Sequence, residues 1–221
     1  MRYVCLVIII VFFNTITQAQ LQSKNIILTL GFGGTSYRGD LTQSFESWGG
    51  TFHAGVLFNK KKRVNGFIHL MMGGVRGNNP SYTFSAAATP NHYFKTSLFS
   101  VGYELRIHII KKESYCLYVS PGISILRFNP KDEYNNPYSG QLATRAKGEE
   151  YSNIALMLPI KIGGTYYMPN GYGIGMDFGF LNPMTDYIDN ISDWGNRKKK
   201  DNLMQLNLLL YIPIKTNSKD K

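Results

Sequence analysis

The chain has 221 residues, of which 43% are hydrophobic, 14% are aromatic and only 17% are charged, and it contains 22 glycines. Few charges together with much glycine and tyrosine argue against disorder and against a helical bundle, and they are typical of an all-β chain with many turns. The formal net charge is +10, and two cysteines exclude a disulfide-rich scaffold and a zinc site held by several thiolates.

The N-terminus has the pattern of a signal peptide. Arg2 precedes an apolar run over residues 3–13, and Thr17 and Ala19 are the small residues expected just before a cleavage site. The apolar run is too short to span a hydrocarbon core of about 30 Å. We therefore predict that 1–19 is a signal peptide and that 20–221 is the mature domain of an exported protein.

Eight segments of the mature chain alternate with period two, as β-strands do. They are roughly 25–33, 51–58, 64–76, 94–110, 115–128, 152–167, 172–181 and 202–214. The seven connections between them alternate strictly between long and short. A soluble meander has no physical reason for this alternation, whereas outer-membrane barrels have short periplasmic turns and long outer loops. The prediction is an all-β fold: an eight-stranded antiparallel transmembrane β-barrel in the bacterial outer membrane, with both termini in the periplasm.

The two faces of the predicted strands differ in chemistry. One face is large and apolar over nine to eleven residues, the length that a tilted spanning strand needs. The other face carries glycine, serine and ionisable residues, where a soluble barrel would need many Lys, Glu and Thr. We therefore predict that the apolar face meets lipid, while the glycine-rich face lines a lumen that side chains fill. This excludes a porin.

The predicted lumen contains a polar network. Its members are Glu104, Arg106, His108, Lys161, Asp177 and Gln205. Because buried charges must be paired, the simpler interpretation is a set of lumen salt bridges, with Arg106 and Lys161 against Glu104 and Asp177. A proton or ion path is the alternative.

Positive charge is concentrated at the short-turn end of the predicted barrel. With both termini, that end holds ten cations and two carboxylates, whereas the four long loops together have a net charge of −2. Candidate partner-binding residues are Lys60, Lys61, Lys62, Arg63, Lys111 and Lys112. A basic periplasmic rim would attract an acidic protein or anionic head groups, and the simpler alternative is a solvated rim. Nucleic acid is not an expected partner there. The run 197–200 in the last long loop is a candidate contact for lipopolysaccharide phosphates.

Patterns for catalysis and metal binding are weak. None of the four histidines has metal-ligand spacing with a second ligand, and the chain contains neither a phosphate-binding loop nor a nucleophile elbow. Ser97 or Ser100 with His108 could imitate a lipid-modifying barrel enzyme, but a separation of eight residues or more along a strand is too large. No enzyme activity, metal or cofactor is predicted.

Several segments spread over the mature chain match a known pattern. They are Tyr37-Arg38-Gly39-Asp40-Leu41 after the first strand, Phe128-Asn129-Pro130 at the end of the fifth, Gly148-Glu149-Glu150-Tyr151 with Leu158-Pro159-Ile160-Lys161-Ile162-Gly163 around the sixth, and Thr185-Asp186-Tyr187-Ile188-Asp189-Asn190-Ile191-Ser192 in the last long loop. In these segments the chain resembles the PorG-like outer-membrane barrel family of the type IX secretion machinery. The resemblance implies a non-enzymatic outer-membrane protein that associates with the periplasmic ring of the machine.

The resemblance also singles out loop residues and one departure. The motif residues are Tyr37, Gly39, Asp40, Asn129, Pro130, Asp186, Tyr187 and Asp189. The family usually has a second Asp where this chain has Asn190. Loop packing is the physical interpretation of the last segment, with Tyr187 and Trp194 folded over the barrel mouth and Asp186 and Asp189 capping turns.

Three functions follow from these patterns. The first is a structural barrel that anchors or partners the periplasmic part of a secretion machine, with outer-membrane lipid, lipopolysaccharide and periplasmic ring proteins as partners. The second is an adhesin-like barrel whose long loops bind an external ligand. The third, with the weakest support, is an enzyme that modifies lipid A.

Overall fold

The computed structural model describes residues 26–58, 63–196 and 200–214. These residues form nine β-strands and two short 3₁₀ turns (Tyr138–Gly140 and Leu142–Thr144). The strands are β1 (Ile26–Arg38), β2 (Trp48–Phe58), β3 (Val64–Asn78), β4 (Tyr93–Lys111), β5 (Tyr115–Lys131), β6 (Ile154–Met157), β7 (Ile160–Tyr167), β8 (Gly173–Phe180) and β9 (Asn202–Pro213). The predicted signal peptide 1–19 and Lys60, Lys61 and Lys62 lie outside the described residues.

The strands close into an antiparallel barrel. Each pairs with its neighbours in chain order, and β1 pairs with β9 to close the wall. Both β6 and β7 pair with β5, so they are two segments of one barrel strand. The interruption falls at Leu158 and Pro159, because proline has no N–H to donate to the ladder. The predicted eight-stranded antiparallel barrel is therefore confirmed.

Several strands run further toward the long loops than the sequence pattern indicated. β1 continues to Arg38, which pairs with Asn202, so Tyr37 and Arg38 end the strand and do not follow it. In the same way β5 continues through Asn129 and Pro130 to Lys131. The glycines at 33 and 34 interrupt the alternation in β1, which is why period two alone ended this strand too early.

The outer surface of the barrel is an apolar belt. In β4, Phe99, Val101, Tyr103, Leu105 and Ile107 are each more than 40% exposed, while the alternate residues are buried in the lumen. β6 to β9 follow the same parity, as predicted, whereas β1 departs from it near its end. A closed barrel satisfies its backbone hydrogen bonds internally and tolerates lipid on this surface, so the protein resides in the bacterial outer membrane.

Helices contribute little to the described residues. No helix within residues 26–58, 63–196 and 200–214 is long and apolar enough to cross a membrane.

The strands differ greatly in length. β3, β4 and β5 have 15, 19 and 17 residues, whereas β8 has 8. The apolar outward residues of β4 begin at Phe99, so residues 93–98 stand above the belt on the side of the long loops. One side of the barrel wall is therefore taller than the other.

Two apolar clusters fill the interior above and below the polar network. The lower cluster, toward the short turns, contains Ile27, Leu57, Phe67, Cys116, Tyr118, Tyr167, Leu209 and Tyr211. The upper cluster, toward the long loops, includes Tyr37, Leu41, Met71, Phe94, Leu98, Phe128, Ile188, Ile191 and Leu203. Together they leave the barrel filled, as expected for eight strands.

Candidate functional site

A buried ion pair lies in the lumen. The Nζ of Lys161 lies 2.6 Å from Oε1 of Glu104, and both side chains are at most 3% exposed. Ser120 donates to the other oxygen of Glu104 at 2.7 Å, and Nδ1 of His69 lies 3.4 Å from Oε1. Adjacent strands supply the groups, since Glu104 is on β4, Ser120 on β5 and Lys161 on β7. This pair joins one of the two predicted lumen cations to one of the two predicted lumen acids.

Arg106 is held by aromatic rings and not by a carboxylate. Its guanidinium carbon lies 3.9 Å from the ring centroid of Phe67 and 4.7 Å from that of Tyr118, and Nη1 donates to the hydroxyl of Tyr211 at 2.7 Å. Among the described residues no ion pair joins Arg106 to Asp177. The expected Arg106 salt bridge is absent there, because the ring faces supply the negative potential that a carboxylate would otherwise supply.

Asp177 and Gln205 belong to a separate chain of amide contacts. Asn207 donates to Asp177 at 2.7 Å and to Oε1 of Gln205 at 3.0 Å, and Gln205 donates to the hydroxyl of Thr35 at 3.1 Å. His108 lies lower, where its Nδ1 is 3.0 Å from the carbonyl oxygen of Arg63. The six predicted lumen residues are therefore all inside the barrel, but in four groups.

The last long loop plugs the outer mouth. Ile188, Asp189 and Asn190 are each 0% exposed and Ile191 is 2% exposed. The hydroxyl of Thr96 donates to the carbonyl oxygen of Ile188 at 2.5 Å. We call residues 186–191 the mouth plug.

One tyrosine joins the wall to the mouth plug. The hydroxyl of Tyr37 lies 2.6 Å from Oδ2 of Asp189 and 2.8 Å from Oδ1 of Asp201. A hydroxyl donates one proton, so the second carboxyl must itself carry a proton or remain an unbonded neighbour. Burial raises the pKa of both carboxyls, and the charge of Asp189 raises that of Asp201 further.

Asp189 and Asp201, which we call the acid pair, also accept hydrogen bonds from the backbone. Ile191 N–H donates to Oδ1 of Asp189 at 2.9 Å and Ile188 N–H donates to Oδ2 of Asp201 at 2.7 Å. The first of these bonds is the turn-capping geometry considered for Asp189. Asp186 is also buried, and desolvation with the nearby charge of Asp40 raises its pKa to about 6.

The conformation and the contacts of residue 190 explain why it is an asparagine. Its φ is +72°, a left-handed conformation that asparagine tolerates better than most residues. Its side-chain NH₂ donates to Oδ1 of Asn91 at 3.1 Å and to the hydroxyl of Thr144 at 2.9 Å. An aspartate could accept but could not donate these bonds. The sequence pattern alone shows this position only as a departure from the family.

The other motif residues surround the mouth plug. A Cβ at Gly39 would collide with the Tyr37 hydroxyl and the Asp201 carboxylate, so only glycine permits this approach. Asp40 accepts from Asn196 N–H at 2.9 Å. Tyr187 stacks on Tyr151 with ring centroids 4.4 Å apart, as expected of a ring folded onto the mouth. Asn129 and Pro130 lie in β5, away from the acid pair.

The short-turn end of the barrel presents cations to solvent. Arg63 and Lys112 are exposed, and Lys111 is half-buried. Arg63 lies beside the end of β4, because its carbonyl oxygen accepts from the N–H of His108 at 2.8 Å. Glu113 is the acidic residue in this pair of turns. We call Arg63, Lys111 and Lys112 the inner rim.

The serines and the histidine that could imitate a catalytic site lie apart. Ser97 is exposed on the outer face of β4, whereas Ser100 and His108 are buried on the lumen face. Within the described residues no three His, Cys, Asp or Glu side chains are arranged to hold a metal ion. At the outer end, a cavity of about 1100 Å³ is bordered by both charge signs and aromatic rings, and its lining includes Arg38, Asp40, Tyr82, Phe84, Asp193 and Lys200.

Comparison with known proteins identifies the architecture and not a family. No known family model matches the chain, and no curated protein matches it. Neisserial surface protein A is similar in structure, at 10% identity over 86% of this chain and 97% of that protein, with a TM-score of 0.51. Ail, the attachment invasion locus protein of Yersinia pestis solved with the heparin analogue sucrose octasulfate, covers 85% of this chain and 96% of its own at 8% identity and a TM-score of 0.50. At such identities the likeness shows the fold alone.

Proposed function

We propose that this protein is a non-enzymatic outer-membrane barrel that partners the periplasmic part of a type IX secretion machine. The filled lumen supports a structural role over conduction, because the Lys161–Glu104 pair and the Arg106 cage occupy the space that a channel would need. The resemblance of the Tyr37 and Asp186 segments to the family supports the choice of machine.

The inner rim carries this proposal. Arg63 and Lys112 are exposed cations on neighbouring turns, opposed there by Glu113. An exposed ion pair contributes about 1 kcal/mol or less, so one cation would hold a partner weakly. Several cations on one rim act together on an acidic periplasmic surface, and their attraction falls as salt screens it.

The test compares two variants that each remove three positive charges. The rim variant carries Lys62→Ser, Arg63→Ser and Lys112→Ser. The outer-end control carries Arg38→Gln, Lys147→Gln and Lys200→Gln, all exposed cations on the long-loop side. We expect the rim variant alone to lose cross-linked secretion-ring proteins from purified envelopes and to restore cargo export poorly in a deletion strain.

Both variants should remain in the outer membrane and keep the folded, heat-modifiable form on gels, because the described residues that they alter are exposed and lie outside the strands or, for Arg38, at the end of one. Normal export in the deletion strain, or equal recovery of ring proteins with both variants, would contradict the secretion role.

The outer cavity favours a second candidate, an adhesin-like role. The cavity beside Arg38, Tyr82 and Lys200 offers cations and aromatic rings to a ligand outside the cell, and Ail, which shares the fold, was solved with a sulfated sugar analogue. Direct binding of a sulfated oligosaccharide to purified protein, abolished in the outer-end control and intact in the rim variant, would favour this role.

A further inference from the structure

Four cations share one patch of the outer wall. Arg76 on β3, Lys95 on β4, and Arg127 and Lys131 on β5 have outward parity and lie near the long-loop ends of these strands. In the strand register Arg76 pairs with Lys95, and Lys95 pairs with Lys131. Three positive charges therefore form one row across three adjacent strands. We call the four residues the wall cation cluster.

The cluster has no anionic partner among the described residues. Both ion pairs found there are in the lumen, and no side-chain hydrogen bond involves any of the four cations. The acid next to Lys131 in sequence, Asp132, instead accepts bonds from Asn136 and Gln141 in its own loop. Like charges directly opposite each other destabilise a sheet. This cost is offset if an anion from outside the chain lies on the row.

The level of the cluster relative to the membrane indicates the source of that anion. Arg127 pairs with Phe99, the top of the apolar belt on β4, and the Lys95 row lies four residues above it. Long cationic side chains at such a level reach toward the head groups while their stems remain against lipid. The long-loop end faces outward, so the cluster lies at the head groups of the outer leaflet.

A groove adjoins the row and suits a sugar. Its volume is about 420 Å³, and it is lined by Trp48, Arg76 and Lys95 together with the glycines Gly49, Gly50, Gly73 and Gly74. A Cβ at Gly50 would meet nothing within 4 Å, so the floor there is open backbone. Trp48 is 43% exposed and forms an amphipathic side wall.

We propose that the wall cation cluster and this groove bind the phosphorylated sugar head group of an outer-leaflet glycolipid of the lipopolysaccharide class. Arg76 and Arg127 match phosphate oxygens in bidentate geometry and Lys95 and Lys131 act as point charges. The sugar ring lies in the groove against Trp48. The assignment does not depend on the secretion role, because the cluster is at the opposite end from the inner rim.

The test uses refolded full-length mature protein in neutral detergent. The wall variant carries Arg76→Gln, Lys95→Gln and Lys131→Gln, and the outer-end control again removes three exposed cations elsewhere. Each protein is titrated with bis-phosphorylated lipid A, with dephosphorylated lipid A and with inorganic phosphate, and binding is read from tryptophan fluorescence. We expect the wall variant to lose about a hundredfold in affinity for bis-phosphorylated lipid A, since each cation near a charged surface contributes roughly one tenfold step or slightly less.

Two further results separate binding from structural damage. The outer-end control should stay within about twofold of the wild type. Without lipid A, the wall variant should resist urea as well as the wild type or better, because removing like charges relieves repulsion. Equal affinity for dephosphorylated lipid A, equal affinity for free phosphate, or an equal loss in the control would each overturn the proposal.

Discussion

The lower and upper halves of the barrel interior are closed by different chemistry. In the lower half strand residues carry opposite charges and aromatic rings, namely the Glu104–Lys161 pair and the cage of Arg106. In the upper half a loop enters the barrel and brings carboxyl groups, with Tyr37 between Asp189 and Asp201, and among the described residues no ion pair involves either carboxyl. The lower half is therefore stabilised by permanent charges, whereas the upper half is stabilised by protons shared between a hydroxyl and carboxyl groups.

This difference shows which contacts each half needs to keep. Removing one member of the lower pair leaves a buried charge without a counter-ion, which is among the most costly changes a fold can suffer. The upper half contains hydrogen bonds and carboxyls whose pKa is raised by burial, and such hydrogen bonds are worth less individually. Substitutions in the lower half should therefore reduce the free energy of unfolding more, and the stability of the upper half should depend on pH.

The largest effect is expected from Glu104→Ala. The change leaves the Lys161 ammonium buried without its partner, which costs about 3–5 kcal/mol in the free energy of unfolding. Urea unfolding of the refolded barrel in lipid vesicles measures it. The double variant Glu104→Met with Lys161→Met is the matched control and should recover most of the loss, because an apolar replacement of a buried pair is often neutral. A Glu104→Ala cost equal to that of the double variant would show that the pair does not act as a unit.

A smaller loss is expected from Tyr37→Phe in the upper half. The change removes the hydroxyl between two buried carboxyls and should cost about 1–3 kcal/mol in unfolding free energy. Tyr138→Phe is a matched comparison, because that hydroxyl donates one bond to the neutral carbonyl oxygen of Tyr93. We expect protease to cut the loop 182–196 faster in Tyr37→Phe than in Tyr138→Phe. Equal cutting rates would indicate that the acid pair does not hold the loop.

The smallest effect expected is that pH changes how firmly the mouth plug stays closed in the barrel. Burial raises the pKa of Asp189 and Asp201, and that of Asp186 reaches about 6, so the closed loop binds more protons than an open one. Closure is therefore fully stabilised below the ordinary aspartate pKa of about 4 and weakens as pH rises toward about 7. Hydrogen exchange of the mouth plug, normalised to an unfolded reference, should show faster opening at the higher pH.

Asp189→Asn supplies the control for this pH effect. It removes one of the titrating groups while preserving shape, so its opening should vary less between acid and neutral pH. Opening of the wild-type loop that is independent of pH over this range would mean that the acids do not titrate on closure.

The two halves also differ in what could be predicted from the sequence. The alternation along β4 and β7 was enough to place Glu104 and Lys161 in the lumen, because side chains of a strand change face at every residue. It could not show that Arg106 would meet Tyr118 and Tyr211, since those contacts depend on register between strands. Tyr211 nevertheless shares the inward parity of Gln205 along the last strand, so the sequence offered an aromatic partner for Arg106.

The upper half was predicted less completely because its contacts join distant parts of the chain. Tyr37 is 152 residues from Asp189 and 164 from Asp201. No periodic pattern relates such positions, and loops have no fixed side-chain alternation. The positive φ and amide donors of Asn190 were also invisible in sequence, where the residue looked only like a substitution.

Because its strands differ in length, the barrel has different sides around the membrane normal. At about 3.3 Å per residue, the 19 residues of β4 extend roughly 60 Å along the strand, more than twice the reach of the 8 residues of β8. A barrel of even height would present the same profile to neighbours at every angle of rotation about the membrane normal. This one presents a high flank over β3 to β5 and a low flank over β8. Neighbouring proteins and lipids therefore meet different surfaces according to the side from which they approach.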